Sequence, residues 1–199
     1  MSLIIAGAGP GNIQLLTGEV LEEIKNADII AAFERIADDV KVIRNDILKL
    51  TALNEILTLP FKEKRVTVLA SGDPCFFGIT AYLKTKGCVI DKVLSGISSM
   101  QYFMCKIQKP WHSLKFYSLH GRGADLKQMK NDTTFFILTD KINNPDFISR
   151  ELQRNNFCGK IYVGYNLSYA DESIEVYTIG EKIIVKSFLN TVMIENETH

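Results

Sequence analysis

Short, unbroken apolar runs alternate with glycine-bearing turns through the first half of the chain. Residues 3–6 and 29–33 are such runs, and a continuous apolar stretch of this length marks a strand covered on both faces; residues 66–70 read as a third strand. The first is closed by Gly7-Ala8-Gly9-Pro10-Gly11 and the third by Ser71-Gly72-Asp73-Pro74, and a further strand over 89–94 runs towards Gly96-Ile97-Ser98-Ser99. Helical spacing returns after each turn. Thr17 is placed to cap a helix with Val20, Leu21 and Ile24 on its buried face; residues 77–86 read as a second helix, and the stretch after Ser99 as a third, ending near Lys109-Pro110. Repeated strand–turn–helix units predict an α/β lobe with a mainly parallel sheet. In 34–61 short apolar groups are mixed with charge, and the element boundaries there stay open.

The stretch Pro110-Trp111-His112-Ser113 is the best hinge candidate, so the expected lobes are 1–110 and 111–199. In the second, 114–119, 133–138, 160–163, 174–178 and 183–188 read as strands, and Asn144-Pro145 as an N-cap followed by proline at the first helical position. The last two strands resemble a hairpin turning at Gly180-Glu181, which predicts a mixed sheet. Residues 195–199 read as a frayed tail. No internal repeat or low-complexity segment is visible.

Composition narrows the function classes. The chain has 199 residues, 46% of them apolar and 23% charged, enough for a sizeable core and unlike a disordered chain. Lys+Arg and Asp+Glu both total 23, so no net field draws the protein to nucleic acid or anionic lipid. Cys75, Cys88, Cys105 and Cys158 form no C-x-x-C pair and do not cluster with the three histidines, which argues against a zinc site. Scattered cysteines without a secretory signal point to reduced thiols in a cytoplasmic protein, and the apolar start is too short for a signal peptide or a membrane span.

Candidate chemistry lies in the turns. Glycine after a strand allows close backbone approach to a ligand, but a dinucleotide fingerprint needs a third glycine where Asn12 stands, and Pro10 removes an N–H. The first turn is therefore a ligand loop or only a tight connection. Ser71-Gly72-Asp73-Pro74 lies at the carboxyl end of a predicted parallel strand, where open α/β sheets place ligands. Asp73 either accepts hydrogen bonds from a ligand or caps the next helix. Phe76 and Phe77 either flank a flat ring or fill core. Gly96-Ile97-Ser98-Ser99 either presents N–H groups and hydroxyls to a polar ligand or is a plain serine N-cap. Three such turns after three strands are expected to crowd one edge of one sheet.

Taken together, G-x-G-P-G, then S-G-D-P-x-F-F-G, then G-I-S-S-x-Q resemble the tetrapyrrole (corrin and porphyrin) methylase family over nearly the whole chain. Ser118-Leu119-His120-Gly121-Arg122 and Asn166-Leu167-Ser168-Tyr169-Ala170-Asp171-Glu172 resemble, more narrowly, its precorrin-6Y / cobalt-precorrin-7 carbon-5 methyltransferase branch. Two positions depart from the pattern: Ser95 stands where the family commonly has proline, and Tyr165 where the branch usually has glutamate before Asn-Leu.

The resemblance implies two α/β lobes with S-adenosylmethionine held in the cleft between them, a homodimer, and a corrin precursor as substrate in cobalamin biosynthesis. By motif position the cofactor residues would be Gly9, Pro10, Ser71, Gly72, Asp73, Phe76, Ser98 and Ser99, with Leu138 and Asn166 from the second lobe. The tetrapyrrole carries several carboxylates. Arg122 is the candidate to bind one bidentately, with His120 as a hydrogen-bond donor or proton acceptor, unless the His-Gly-Arg turn is merely a surface turn. No metal is expected, and methyl transfer to an electron-rich carbon requires no protein nucleophile. A separate decarboxylating carbon-15 methyltransferase subunit would supply the companion activity. The rival readings are another member of the family, including diphthine synthase, a nucleotide-binding regulatory module, and a purely structural domain.

Overall fold

A computed structural model describes residues 1–119, 126–129 and 133–197. The chain divides into two compact units, Met1–Ser99 and Met100–His199, so the division comes before the Pro110-Trp111-His112-Ser113 stretch.

The first unit is built on five strands: β1 (Ser2–Gly7), β2 (Ile29–Phe33), β3 (Ile47–Leu50), β4 (Arg65–Ala70) and β5 (Lys92–Leu94). They lie in the order β3-β2-β4-β1-β5, and every pairing is parallel. Side chains alternate across a strand. Ile4 and Ala6 of β1 therefore join one core with Ile30 and Leu69, while Leu3 and Ile5 join another with Val66 and Val68. Helix α1 (Gly18–Asn26) brings Val20 and Ile24 to the first core, and α2 (Glu34–Val40) brings Ile36, Ala37 and Val40. Helix α3 (Ile79–Thr85) covers the second core with Leu83. Each fully buried aliphatic side chain contributes about 1.5–3 kcal/mol, and this two-sided burial is why β1 and β2 carry unbroken apolar runs.

Thr17 caps α1, its hydroxyl accepting from the Val20 N–H. The buried face of that helix differs from the expectation, because Leu21 is only half-buried while Glu23 is 5% exposed. The Glu23 carboxylate is acceptable there since Thr67 Oγ1 donates to it at 2.5 Å and the Arg65 guanidinium pairs with it. Helix α3 starts at Ile79 rather than 77, because Phe77 takes a left-handed φ of 51°. Strand β5 starts only at Lys92: Asp91 bonds Leu3 through its N–H and its carboxylate, and the ladder begins after it. Residues 34–61 hold α2, β3 and a 3-10 turn over Leu53–Thr58.

In the second unit, α4 (Ser99–Lys106) precedes β6 (Lys115–Ser118), β7 (Thr134–Leu138), α5 (Pro145–Arg154), β8 (Gly159–Tyr165), β9 (Ser173–Thr178) and β10 (Asn190–Asn196). The sheet order is β6-β7-β10-β8-β9. Strands β6 and β7 run parallel and the other pairings are antiparallel, so this sheet is mixed, as expected. Asn144 caps α5 with Pro145 in its first turn, and Ile148 and Leu152 pack into a core with Phe135, Ile137, Val163 and Val192. Helix α4 ends at Lys106, short of 109, where Gln108 turns left-handed and the Lys109 N–H reaches back to Met104.

Two expectations fail here. Residues 183–188 form no strand: the Ile183 N–H donates to the Asp146 carboxylate at 2.9 Å instead of to a neighbouring strand, and β9 pairs with β8 rather than with this segment. The tail expected from 195 onward is partly sheet, since Glu195 and Asn196 lie in β10 opposite Lys160 and Gly159. A further anchor is the Lys109 ammonium, which donates to the Glu195 carboxylate at 2.5 Å.

Candidate functional site

The turns after β1, β4 and β5 follow three adjacent parallel strands, so they emerge side by side at one sheet edge. They also touch. Gly9 and Gly72 form an isolated bridge, with Gly72 N–H donating to Gly9 O at 2.8 Å and Gly9 N–H to Gly72 O at 3.3 Å. A Cβ on Gly7 would stand 2.5 Å from Gly96 N, and one on Gly96 would stand 2.2 Å from Gly72 O. Three main chains thus pack with no room for a side chain between them. This close approach is what glycine permits and other residues do not.

Asp73 locks the arrangement. One carboxylate oxygen accepts the Cys75 N–H at 2.8 Å and the other accepts the Gly96 N–H at 3.3 Å. The side chain thus turns its own loop and ties the second glycine turn to the third. The Asx bond stops at Cys75, before α3 begins, so Asp73 is not the cap of that helix.

The candidate residues of the first unit share this edge. Gly9, Pro10, Gly72 and Ser98 are buried, Asp73, Phe76 and Ser99 are half-buried, and Ser71 is exposed. Gly72 lies against Ser98, where an added Cβ would be 3.5 Å from its Cα. Phe76 meets Phe77 edge to face with centroids 5.0 Å apart. Phe77 is 46% exposed, so it does not fill core. A residue the sequence did not single out, Arg35 of α2, donates to Ser71 Oγ at 2.8 Å; nothing in the local pattern links positions 35 and 71, which meet because β2 and β4 are neighbours.

The two candidates in the second unit are placed differently. Leu138 ends β7, its carbonyl accepting from the Leu119 N–H. Asn166 follows β8 with φ 45°, and its amide donates to Asp171 at 2.7 Å while its side-chain oxygen accepts from Ser187 at 2.6 Å. Asn166 therefore organises its own turn, as asparagine in the left-handed region commonly does. Within that turn the Glu172 carboxylate accepts the Ser168 N–H and pairs with Lys106. Burial pushes the Glu172 carboxyl up, but the Ser168 N–H, Tyr102 and Lys106 together bring it below the ordinary value. Tyr165 lies in the core, 1% exposed. His120 and Arg122 lie outside the described residues.

Among the described residues no His/Cys/Asp/Glu group could hold a metal ion, and no helix is long and apolar enough to cross a membrane. The donor set at the first unit's turns fits S-adenosylmethionine in kind: a carboxylate and hydroxyls for its ammonium and ribose groups, backbone N–H groups for its carboxylate, and aromatic rings for adenine.

The sequence model of the Tetrapyrrole (Corrin/Porphyrin) Methylases matches residues 2–183. The chain is 28% identical over 193 residues to the probable cobalt-precorrin-7 C(5)-methyltransferase of Methanocaldococcus jannaschii, covering 90% of each chain. It is 30% identical over 177 residues to the cobalt-precorrin-7 C(5)-methyltransferase of Salmonella typhimurium, covering 86% of this chain and 88% of that protein. In fold it resembles the cobalamin biosynthesis precorrin-6Y methylase from Archaeoglobus fulgidus, with a TM-score of 0.78 at 20% identity over 98% of both chains. It also resembles a uroporphyrin-III C-methyl transferase from Thermus thermophilus solved with S-adenyl homocysteine, with a TM-score of 0.74 at 19% identity over 97% of this chain and 91% of that one. With a family match across most of its length, and a turn architecture and two-sheet fold to go with it, this chain belongs to the tetrapyrrole (corrin/porphyrin) methylases.

Proposed function

We propose that the protein is an S-adenosylmethionine-dependent C-methyltransferase of cobalamin biosynthesis that methylates carbon 5 of cobalt-precorrin-7 or precorrin-6Y. The observation that carries the reading is the mutual contact of Gly7, Gly72 and Gly96, which stacks three turns into one backbone platform at the carboxyl edge of β4, β1 and β5. The choice of carbon 5 is supported by the names of the two relatives that match nearly end to end.

When bound, the cofactor supplies a methyl group on a cationic sulfur. Methyl transfer to an electron-rich carbon is an in-line displacement, so the chain's task is alignment rather than covalent chemistry. Gly9, Pro10 and Gly72 would let the ligand approach backbone closely. Asp73, held by Cys75 and Gly96, would accept from the ligand's polar hydrogens with little further ordering. Ser71, Ser98 and Ser99 would add hydroxyl contacts, and Phe76 an apolar surface. In the second unit Leu138 and Asn166 are the proposed cofactor residues. His120 and Arg122 are the proposed substrate-positioning pair. The reading takes in a homodimer, a cytoplasmic setting and a separate decarboxylating carbon-15 methyltransferase subunit.

The test is incubation of purified protein with cofactor and a panel of precorrins, followed by mass spectrometry and NMR of the product. The expected product is heavier by one methylene unit with the new methyl at carbon 5. Methylation at a different carbon would redirect the reading within the family. Binding of NAD in place of S-adenosylhomocysteine would overturn it.

A further inference from the structure

The second unit holds an apolar surface that its core does not use, formed by two loops. The first follows β7: the Asp140 carboxylate accepts the Ile142 N–H at 2.9 Å and the Asn143 N–H at 2.6 Å, and the buried Asn143 amide donates to Leu119 O at 2.9 Å. The second precedes β10: Ser187 Oγ accepts the Leu189 N–H at 3.1 Å, and the Asn190 amide donates to Ser187 O at 2.7 Å. Thr139 joins the loops, its hydroxyl donating to Asn190 O at 2.6 Å. With both backbones held in this way, Ile142 stands 78% exposed and Phe188 64%. The exposed Lys141 places its ammonium 5.3 Å from the centre of the Phe188 ring. Large apolar side chains grouped in the open mark an interaction surface.

This surface borders both proposed cofactor residues of the unit. Leu138 directly precedes Thr139. Asn166 donates its backbone N–H to Leu189 O at 2.9 Å and accepts the Ser187 hydroxyl at 2.6 Å. Methyl transfer needs the accepting carbon in contact and in line with methyl and sulfur, so the acceptor must lie against a surface next to the cofactor. The inference rests on the methyltransferase reading above, in which that acceptor is a macrocycle with apolar ring faces and a rim of carboxylates. We propose that Phe188 and Ile142 are substrate-binding residues that pack on a face of the macrocycle, while Lys141 pairs with one of its rim carboxylates. An aromatic ring with a cation beside it offers an apolar body and a positive charge together, the complement of an acidic-rimmed apolar ring.

Wild-type protein and the variants Phe188→Ala and Lys141→Gln are titrated calorimetrically with two probes, cobyrinic acid as a stable corrin polycarboxylate and S-adenosylhomocysteine. Circular dichroism checks the fold of each variant, and sedimentation its oligomeric state. The expected result is that Phe188→Ala weakens cobyrinic acid binding about tenfold and leaves S-adenosylhomocysteine affinity within about twofold of the wild type. Lys141→Gln should weaken cobyrinic acid about twofold to fivefold, and its affinity should fall less steeply with added salt than that of the wild type. Unchanged cobyrinic acid binding in Phe188→Ala overturns the assignment, as does an equal loss for both probes or a salt dependence in Lys141→Gln identical to the wild type. A change of oligomeric state in Phe188→Ala with cobyrinic acid binding intact gives the surface to a second copy of this chain instead. Wild-type protein that binds S-adenosylhomocysteine but not cobyrinic acid overturns the proposal and leaves the cofactor reading standing. Binding of neither probe sinks the methyltransferase reading itself, and this proposal with it.

Discussion

The Asp73 carboxylate accepts the backbone N–H of Gly96 at 3.3 Å, joining two turns 23 positions apart in sequence. The side chain proposed to contact the cofactor is, on this geometry, a structural clamp between the turns after β4 and β5.

Asp73→Ala should show both roles. Loss of the acceptor for Cys75 and Gly96 is expected to lower stability by about 1.5–3 kcal/mol, read by urea denaturation. S-adenosylhomocysteine affinity should fall at least about tenfold, a difference of ~1.4 kcal/mol, by calorimetry. Asp73→Asn keeps an acceptor for the Cys75 N–H and should be milder in stability than in affinity. Unchanged affinity would take Asp73 out of the cofactor site.

Glycine at 96 is required by space rather than by dihedral freedom. A Cβ there would meet Gly72 O at 2.2 Å and Gly7 O at 2.6 Å, both backbone atoms. Gly96→Ala should cost more than about 3 kcal/mol, or prevent folding, because neither neighbour can yield. Gly72→Ala meets nothing nearer than 3.5 Å but has φ +64°, so its cost should be the left-handed penalty of about 1–2 kcal/mol. A thermal-melt series in which Gly72→Ala is the worse of the two would refute the packing account.

Acid should destabilise the first unit through Glu23. Burial alone would raise its carboxyl, but hydrogen bonds from Arg65 and Thr67 outweigh that and hold it below the ordinary glutamate value. A depressed folded-state value stabilises above the unfolded one, about 4.3, and that contribution is lost as pH falls through the folded one. Glu23→Gln should therefore lower stability at neutral pH by about 1–3 kcal/mol and flatten the stability–pH curve below about pH 4.5. A variant curve parallel to the wild type in that range would exclude Glu23 as the source.

Tyr165 stands where the methyltransferase branch usually has glutamate, and it is buried in the second unit's core. Burial first, and then the Glu175 carboxylate, push its hydroxyl up to about 12. Its contribution is present below the unfolded tyrosine value near 10 and is lost as pH rises towards about 12. The hydroxyl reaches Ile184 O only at 3.5 Å, so Tyr165→Phe should change stability by less than about 1 kcal/mol. Tyr165→Glu should cost about 3 kcal/mol or more at neutral pH and less in acid, where the buried carboxyl takes a proton. Chemical denaturation at two pH values checks both, and a well-tolerated Tyr165→Glu would mean that the position is not core.

Much of the fold was legible because its signals are local. Unbroken apolar runs announced β1 and β2, Thr17 and Asn144 announced two helix starts, and the three glycine turns announced the candidate site. What misled was segment 183–188, whose β-branched start, Ile183-Ile184-Val185, suits a strand but whose Ile183 N–H is taken by Asp146 from another element. Glu23 misled in the same way: a charged residue inside an apolar stripe is unreadable until Arg65 and Thr67 are beside it.

The linear order of residues was enough to determine that strands would end in glycine turns and that those turns would face one sheet edge, since strand direction and parallel pairing follow from local pattern and short connections. Only the tertiary structure decided that Gly7, Gly72 and Gly96 touch, that Asp73 clamps Gly96, and that Arg35 meets Ser71. Those contacts depend on strand order, β3-β2-β4-β1-β5, and strand order is set by packing between residues far apart along the chain, which no local periodicity encodes.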